Sequence, residues 1–140
     1  MSRVILISIK PVFARALLDG SKRFELRRFV PRFEAGDRAL IYASTPERRV
    51  VGGFVVGRVA AGSAEEVWTA IGGPACGLSE HGFFAYLSGA RRCAAVEALR
   101  PALLPQPVPL PFRPPQSYQF LREGTPEHRE VLTLARQLLE

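Results

Sequence analysis

Cysteine, lysine and long apolar runs are scarce in this chain of 140 residues. The two cysteines, Cys76 and Cys93, are too few for a disulfide framework, so we expect packed, reduced thiols and a cytoplasmic protein. No apolar run approaches the ~20 residues that span a bilayer, and the first residues lack the pattern of a signal peptide, so we expect no membrane association. The cysteine and histidine spacings match no zinc pattern. We therefore predict no metal site and no cofactor.

Positive charge is concentrated in the first part of the chain. Lysine occurs only at positions 10 and 22, whereas arginine occurs seventeen times. Residues 1–58 hold twelve Lys or Arg against five Asp or Glu, while residues 59–140 hold seven against eight. This asymmetry indicates an anionic partner, with phosphates as the source of its charge. The alternative is an arginine-rich composition that serves no particular partner.

The segment 20–28 combines a turn, an ammonium, a carboxylate and guanidinium groups within nine positions. Read as a strand, its phenylalanine and leucine point to one side, and Glu25 and Arg27 point to the other. Lys22 stands at the turn before the strand, where its flexible stem can bring the ammonium over the polar side. We predict that Lys22, Glu25 and Arg27 share a solvent-reachable pocket. The alternative is a surface ion pair worth up to about 1 kcal/mol.

Apolar periodicity and turn residues predict nine further elements. Strands are expected at 4–9, 38–43, 50–59 and 92–99, helices at 11–19, 63–72, 79–88 and 126–139, and an extended edge segment at 101–115, where seven prolines occur. The first helix is expected to bury a stripe formed by Val12, Phe13, Ala16 and Leu17. Ser63 and Thr125 are predicted helix caps, and the glycine pair at 52 and 53 predicts a bend or bulge in its strand.

The motif Gly20-x-Lys22-x-x-Glu25-x-Arg27 resembles the G-x-K-x-x-E-x-R signature of the ASCH family, a branch of the PUA-like superfamily. Further segments in the order familiar from that family are 5–11, 36–44 and 114–118, so the resemblance covers roughly residues 4–122. It implies an α+β fold, a small mixed or antiparallel β-barrel with flanking helices and a C-terminal helix. The implied domain spans residues 1–122 with a helical insert at about 63–89, and a helix within 123–140 packs on the same domain.

The resemblance implies a cleft that binds nucleic acid, with RNA or a nucleotide as partner. In a binding module, phosphates would contact Lys10, Lys22, Arg27 and Arg28. Ser117 would contact the same ligand, whose base would lie in a pocket lined by an aromatic residue of the motif region, Phe24 or Phe29. A monomer and a homodimer both fit the sequence.

The alternative function is a metal-independent hydrolase, either a ribonuclease or an amidohydrolase of a modified nucleoside. The candidate catalytic residues are then Lys22, Glu25, Tyr42 and Ser44. One branch of the family resembles an amidohydrolase of modified cytidines that carries a threonine nucleophile three residues after its lysine. Glu25 occupies that position here, which argues against the amidohydrolase unless Ser44 or another hydroxyl substitutes.

Overall fold

A computed structural model describes residues 3–140 of the protein. In chain order the elements are β1 (Val4–Ile9), α1 (Pro11–Leu18), β2 (Phe24–Arg27), β3 (Arg38–Ala43), β4 (Arg49–Gly62), α2 (Ala64–Ala70), a 3-10 turn (Gly73–Cys76), α3 (Glu80–Leu87), β5 (Cys93–Val108), β6 (Tyr118–Phe120), a second 3-10 turn (Pro126–His128) and α4 (Arg129–Leu139). Within the described range, no helix is long and apolar enough to cross a membrane.

The six strands form one sheet in the order β2-β5-β4-β3-β1-β6, curled into a half-barrel with β2 and β6 at its edges. Strands β1 and β3 run parallel, with Val4 opposite Arg38 and Ile9 opposite Ala43. The other pairs are antiparallel. Both faces of the β1–β3 pair are covered, which is why these strands are almost continuously apolar. The predicted α+β fold is confirmed.

The sheet bends where the glycine pair predicted it. The register between β4 and β5 shifts on both sides of Gly52 and Gly53, and a side chain at Gly53 would come within 2.5 Å of the Ala39 carbonyl oxygen. Since neighbouring backbone leaves no room for a Cβ atom there, glycine is required for the curvature. The curled sheet places the start of α1 and the motif strand β2 at one end of the fold.

Three apolar clusters hold helices against this sheet. The first cluster joins β1, β3 and β4 to α1, the second packs α4 on the opposite face of the sheet, and the third joins β2 and the start of β5 to α2 and α3. Because α2 and α3 are attached through the third cluster, they cover β2, the strand that carries the motif. The division into residues 1–122 and 123–140 stays a prediction.

The predicted strand at 92–99 continues to Val108 and takes in half of the proline-rich segment. Residues 99–108 pair with β4 on one side only, since β2 pairs with Ala94–Glu97 and goes no further. Proline lacks a backbone N–H and is tolerated where that group would face solvent. The free edge therefore accommodates three prolines within the strand.

Two predictions about the helices are wrong. Thr125 makes no capping hydrogen bond through its side chain, and a 3-10 turn precedes α4. Helix α1 buries Ala14 and Leu17, whereas Val12 is 68% exposed and Phe13 is 40% exposed. The capping box at Ser63 is present as predicted.

Candidate functional site

A cleft of about 720 Å³ opens between α1, the motif strand β2 and the segment that leads into α3. Its polar lining consists of Ser8, Lys10, Ser21, Lys22, Glu25, Arg27, Ser44, Ser79 and Gln116, and its apolar side chains are those of Ile9, Val12, Phe13, Ala16, Leu26, Leu78, Phe83 and Tyr86. Apolar surface therefore accompanies the charged motif throughout the cleft.

Local backbone structure directs Lys22 into this cleft. Gly20 ends the turn after α1 with a φ of +84°, a conformation that costs glycine little. The backbone N–H of Lys22 then donates to the Ala16 carbonyl oxygen at 3.0 Å, which docks the turn on the helix. The Lys22 ammonium lies 4.6 Å from the centroid of the Phe13 ring, a cation–π contact.

Glu25 lies between two cations. Its Oε1 is 3.7 Å from Lys22 Nζ, and its Oε2 is 3.2 Å from Arg27 Nε. About 11% of the Lys22 side chain, 8% of that of Glu25 and 11% of that of Arg27 is exposed. These three groups form a largely buried ion cluster, unlike the solvated surface pair that was the alternative expectation.

Arg27 also joins β2 to the other side of the cleft. Its Nη2 donates to the Ser8 carbonyl oxygen at 3.2 Å, and its Nη1 donates to Ser117 Oγ at 3.3 Å. Two of the five N–H donors on this guanidinium thus have protein acceptors, while its buried Nε, although close to Glu25, makes no hydrogen bond within the part of the chain that the structure describes. Lys22 and the exposed Lys10 remain as the cations best placed to meet a ligand in the cleft.

Burial shifts the pKa values of the cluster. Desolvation lowers the pKa of Lys22 below its ordinary value of 10.5, although the Glu25 carboxylate opposes this shift. Desolvation raises the pKa of Glu25, while Arg27 and Lys22 oppose the shift. A lysine whose pKa is lowered is more readily available as a neutral amine, the form that accepts a proton. Within residues 3–140, no group of three His, Cys, Asp or Glu side chains is placed to hold a metal ion.

Five of the predicted site residues line the cleft: Lys10, Lys22, Glu25, Arg27 and Ser44. The motif spacing alone indicated that three of them would converge. Lys10 and Ser44 were also predicted as site residues, and they join these three in the cleft. They do so because β1 and β3 are parallel neighbours, whose carboxyl ends lie at the same edge of the sheet.

Three other predicted residues, Arg28, Tyr42 and Ser117, are outside the cleft lining. Arg28 Nη1 donates to the carbonyl oxygens of Tyr86 at 2.7 Å and Ser88 at 2.9 Å, which ties the end of α3 to the motif strand. Tyr42 packs in the second cluster with α4, and Ser117 accepts the hydrogen bond from Arg27. Their roles in binding or catalysis stay predictions.

The aromatic lining differs from the predicted one. Phe24 is buried in the third cluster, and Phe29 is 47% exposed outside the cleft. The aromatic residues of the cleft are instead Phe13 of α1 and Phe83 and Tyr86 of α3. The apolar pattern of α1 marked Phe13 as a core residue, and only the docking of α3 onto β2 shows that it lies in a cleft.

Comparison with known proteins agrees with this fold. The ASCH domain family model matches residues 7–100. A curated relative from Zymomonas mobilis, named an ASCH domain-containing ribonuclease, is 31% identical over 139 residues, which cover 94% of this chain and 92% of the relative. The crystal structure of the ASCH protein from Zymomonas mobilis has a TM-score of 0.74 at 28% identity, covering 98% of each chain. The crystal structure of a tyrosine-to-phenylalanine variant of that protein has a TM-score of 0.75 at 28% identity, covering 94% of this chain and 96% of the variant. This chain therefore belongs to the ASCH domain family.

Proposed function

We propose that the cleft binds RNA and that Lys22 and Lys10 contact its phosphates. The observation that carries this proposal is the charge of the cleft lining. Among residues 3–140, three cationic side chains line the cleft, and Glu25 supplies its single carboxylate. Arg27 is held by Ser8 and Ser117, so the ammonium groups are the available phosphate ligands. Phosphate contacts of this kind supply most of the sequence-independent affinity for nucleic acid.

The choice of RNA as the anionic partner is supported by the relatives. A curated ASCH protein that matches nearly the whole of this chain is named a ribonuclease. The cleft volume of about 720 Å³ leaves room for a single nucleotide, which suits the unpaired nucleotides that RNA presents in loops and at ends.

Salt dependence of RNA binding tests the proposal. A fluorescently labelled single-stranded RNA is titrated by anisotropy at several salt concentrations with the wild type, Lys10→Gln and the matched control Arg91→Gln, which removes one exposed charge outside the cleft. Removing a phosphate contact makes the negative slope of log K against log salt shallower by about 0.7 for a single strand. We expect this change for Lys10→Gln and a smaller one for the control. Affinity that is independent of salt, or equal slopes for the two variants, would contradict the proposal.

A second candidate function is metal-independent cleavage of RNA. It is favoured by the lowered pKa of Lys22 in a cleft that also holds the Ser44 hydroxyl. In this reaction the Lys22 amine removes the proton from a ribose 2′-hydroxyl, and the 2′-oxygen attacks the adjacent phosphorus. The 5′-oxygen leaves and takes up a proton, and a 2′,3′-cyclic phosphate remains on the other fragment. Lys10 or Ser44 would stabilise the phosphate as its charge builds up.

End-labelled RNA and N4-acylated cytidines separate this reaction from simple binding. Purified wild type, Lys22→Ala and Ser44→Ala are incubated with each substrate, and Tyr42→Phe serves to test the tyrosine that lies outside the cleft lining. We expect RNA fragments ending in a cyclic phosphate from the wild type and a large loss of rate for Lys22→Ala. Release of the acyl group from cytidine would identify the amidohydrolase instead. If the wild type forms no more product than Lys22→Ala, cleavage is excluded and only the binding function remains.

A further inference from the structure

Two aromatic residues of the cleft, Phe13 and Tyr86, are not required by the core. Buried apolar clusters account for the packing faces of α1 and α3, namely Ala14 and Leu17 on α1 and Phe83 and Leu87 on α3. Phe13 and Tyr86 are left 40% and 45% exposed, and both line the cleft. Large apolar side chains grouped at a cavity are typical of a binding surface.

Phe13 and Tyr86 belong to separate helices, and both line the cleft together with the ion cluster of Lys22, Glu25 and Arg27. Phe13 is in contact with the Lys22 ammonium, so a phosphate bound by that ammonium would be adjacent to the ring. Tyr86 lines the same cleft as Glu25, and burial together with that carboxylate raises the pKa of Tyr86. Arg28 fixes the Tyr86 backbone through its carbonyl oxygen, which holds this end of α3 next to the motif strand.

We infer that Phe13 and Tyr86 hold one nucleobase of a single-stranded RNA, while Lys22 and Lys10 bind the phosphate next to it. This inference rests on the proposed function and names its substrate class, an unpaired nucleotide within RNA. Nucleobases stack on aromatic side chains irrespective of sequence. A base in a duplex is stacked and paired and has to leave the helix to enter a cleft of this kind. The cleft therefore discriminates unpaired from paired nucleotides and discriminates little among the bases.

Three probes that remove the bases or pair them test this inference. The probes are an eight-nucleotide oligoadenylate, an all-abasic ribose-phosphate oligomer of equal length, and the same oligoadenylate annealed to its complement in 2′-O-methyl form. Binding to the wild type is measured by anisotropy competition at one fixed salt concentration. Because the abasic oligomer keeps every phosphate, it separates base contacts from phosphate contacts.

We expect the abasic oligomer and the duplex each to bind roughly five- to a hundredfold more weakly than the single strand, the range for loss of one stacked base. Tyr86→Leu should lower the affinity for oligoadenylate by a similar factor and leave the affinity for the abasic oligomer unchanged. Phe13→Leu also removes the ring beside the Lys22 ammonium, so it should lower the affinity for oligoadenylate more than that for the abasic oligomer. Tyr86→Phe keeps the ring and should bind within about twofold of the wild type. Phe29→Leu is the matched control, since it removes an exposed ring outside the cleft.

Equal affinity of the wild type for oligoadenylate and the abasic oligomer would overturn the inference, and so would a loss for Phe29→Leu as large as that for Tyr86→Leu. The proposed function would survive that result if Lys10→Gln still altered the salt slope. Failure of the proposed function gives a different pattern, in which neither oligomer binds or binding does not depend on salt. The oligomer comparison uses the unmodified protein, so it decides the question even if a leucine variant fails to fold.

Discussion

Replacing Lys22 by methionine separates the functional from the structural role of the buried ion cluster. Methionine keeps an unbranched apolar chain against Phe13 and removes the ammonium that lies 3.7 Å from Glu25. Glu25 keeps Arg27 at 3.2 Å, so its carboxylate still has a cationic partner. The variant therefore tests the charge of Lys22 with little change in packing.

Attraction to Glu25 and desolvation of the ammonium act in opposite directions on the stability of this variant. The attraction between unit charges about 4 Å apart is about 4 kcal/mol at an effective dielectric constant of 20. Desolvation of an ion costs several kcal/mol, and here only 11% of the Lys22 side chain is exposed. The pKa of Lys22 is lowered, so desolvation outweighs the attraction, and repulsion from Arg27 acts in the same direction as desolvation. We expect the free energy of unfolding of Lys22→Met at pH 7 to equal or exceed that of the wild type.

The pH dependence has a definite sign. In the unfolded chain the pKa of lysine has its ordinary value of 10.5, and in the folded protein that of Lys22 lies below it. Between these two values the unfolded state binds more protons, so the stability of the wild type rises with pH, by at most about 1.4 kcal/mol per pH unit. Lys22→Met lacks this titration, and the wild type should gain on the variant as the pH approaches 10.5.

Urea unfolding at pH 7 and at several values up to pH 10 measures both effects, with Lys10→Met as the control for loss of an exposed lysine. RNA affinity is measured on the same samples. We expect Lys22→Met to lose affinity while keeping its stability, as is found where a buried charge serves function at the expense of stability. A loss of about 3–5 kcal/mol at pH 7, the usual result of breaking a stabilising buried pair, would refute this reasoning and make Lys22 a structural residue.

Two further predictions concern how the insert is held in place. Gly77→Ala should lower the free energy of unfolding by at least about 1 kcal/mol and weaken RNA binding, because position 77 has a φ of +91° and a Cβ atom there would lie 2.5 Å from the Ser21 carbonyl oxygen. Gly124→Ala is its control in thermal unfolding, since nothing lies within 4 Å of the added atom, and equal losses would contradict the prediction. Ser63→Ala removes the hydroxyl of the capping box and should cost about 1 kcal/mol in urea unfolding; no change would show that α2 is held by packing alone.

The sequence predicted most elements because their signals are local. The bounds of β1 and β3 were predicted to the residue, since each is a short apolar run between turn residues. The capping box at Ser63 depends only on residues three positions apart, so it could be predicted just as directly. The prolines at 101, 105 and 107 predicted an extended edge segment, and this part of β5 does have a free edge. What was missed is that the segment continues the strand at 92–99 without a break.

The candidate site likewise has one part that local sequence signals predict and another that depends on packing. The alternation of a strand determined by itself that Glu25 and Arg27 lie on one side, with Lys22 at the turn before them. Lys10 and Ser44 were predicted as site residues, although their position beside the motif depends on the parallel pairing of β1 and β3. Tertiary structure alone decided that Arg28 holds α3 in place and that the apolar side chains of α1 at positions 12 and 13 line a cleft. Periodicity reports which side chains share a face, whereas the packing partner of that face depends on contacts between residues far apart in the chain. The charge and the motif were thus set by the order of the amino acids, and the aromatic side of the cleft was set by how distant elements pack.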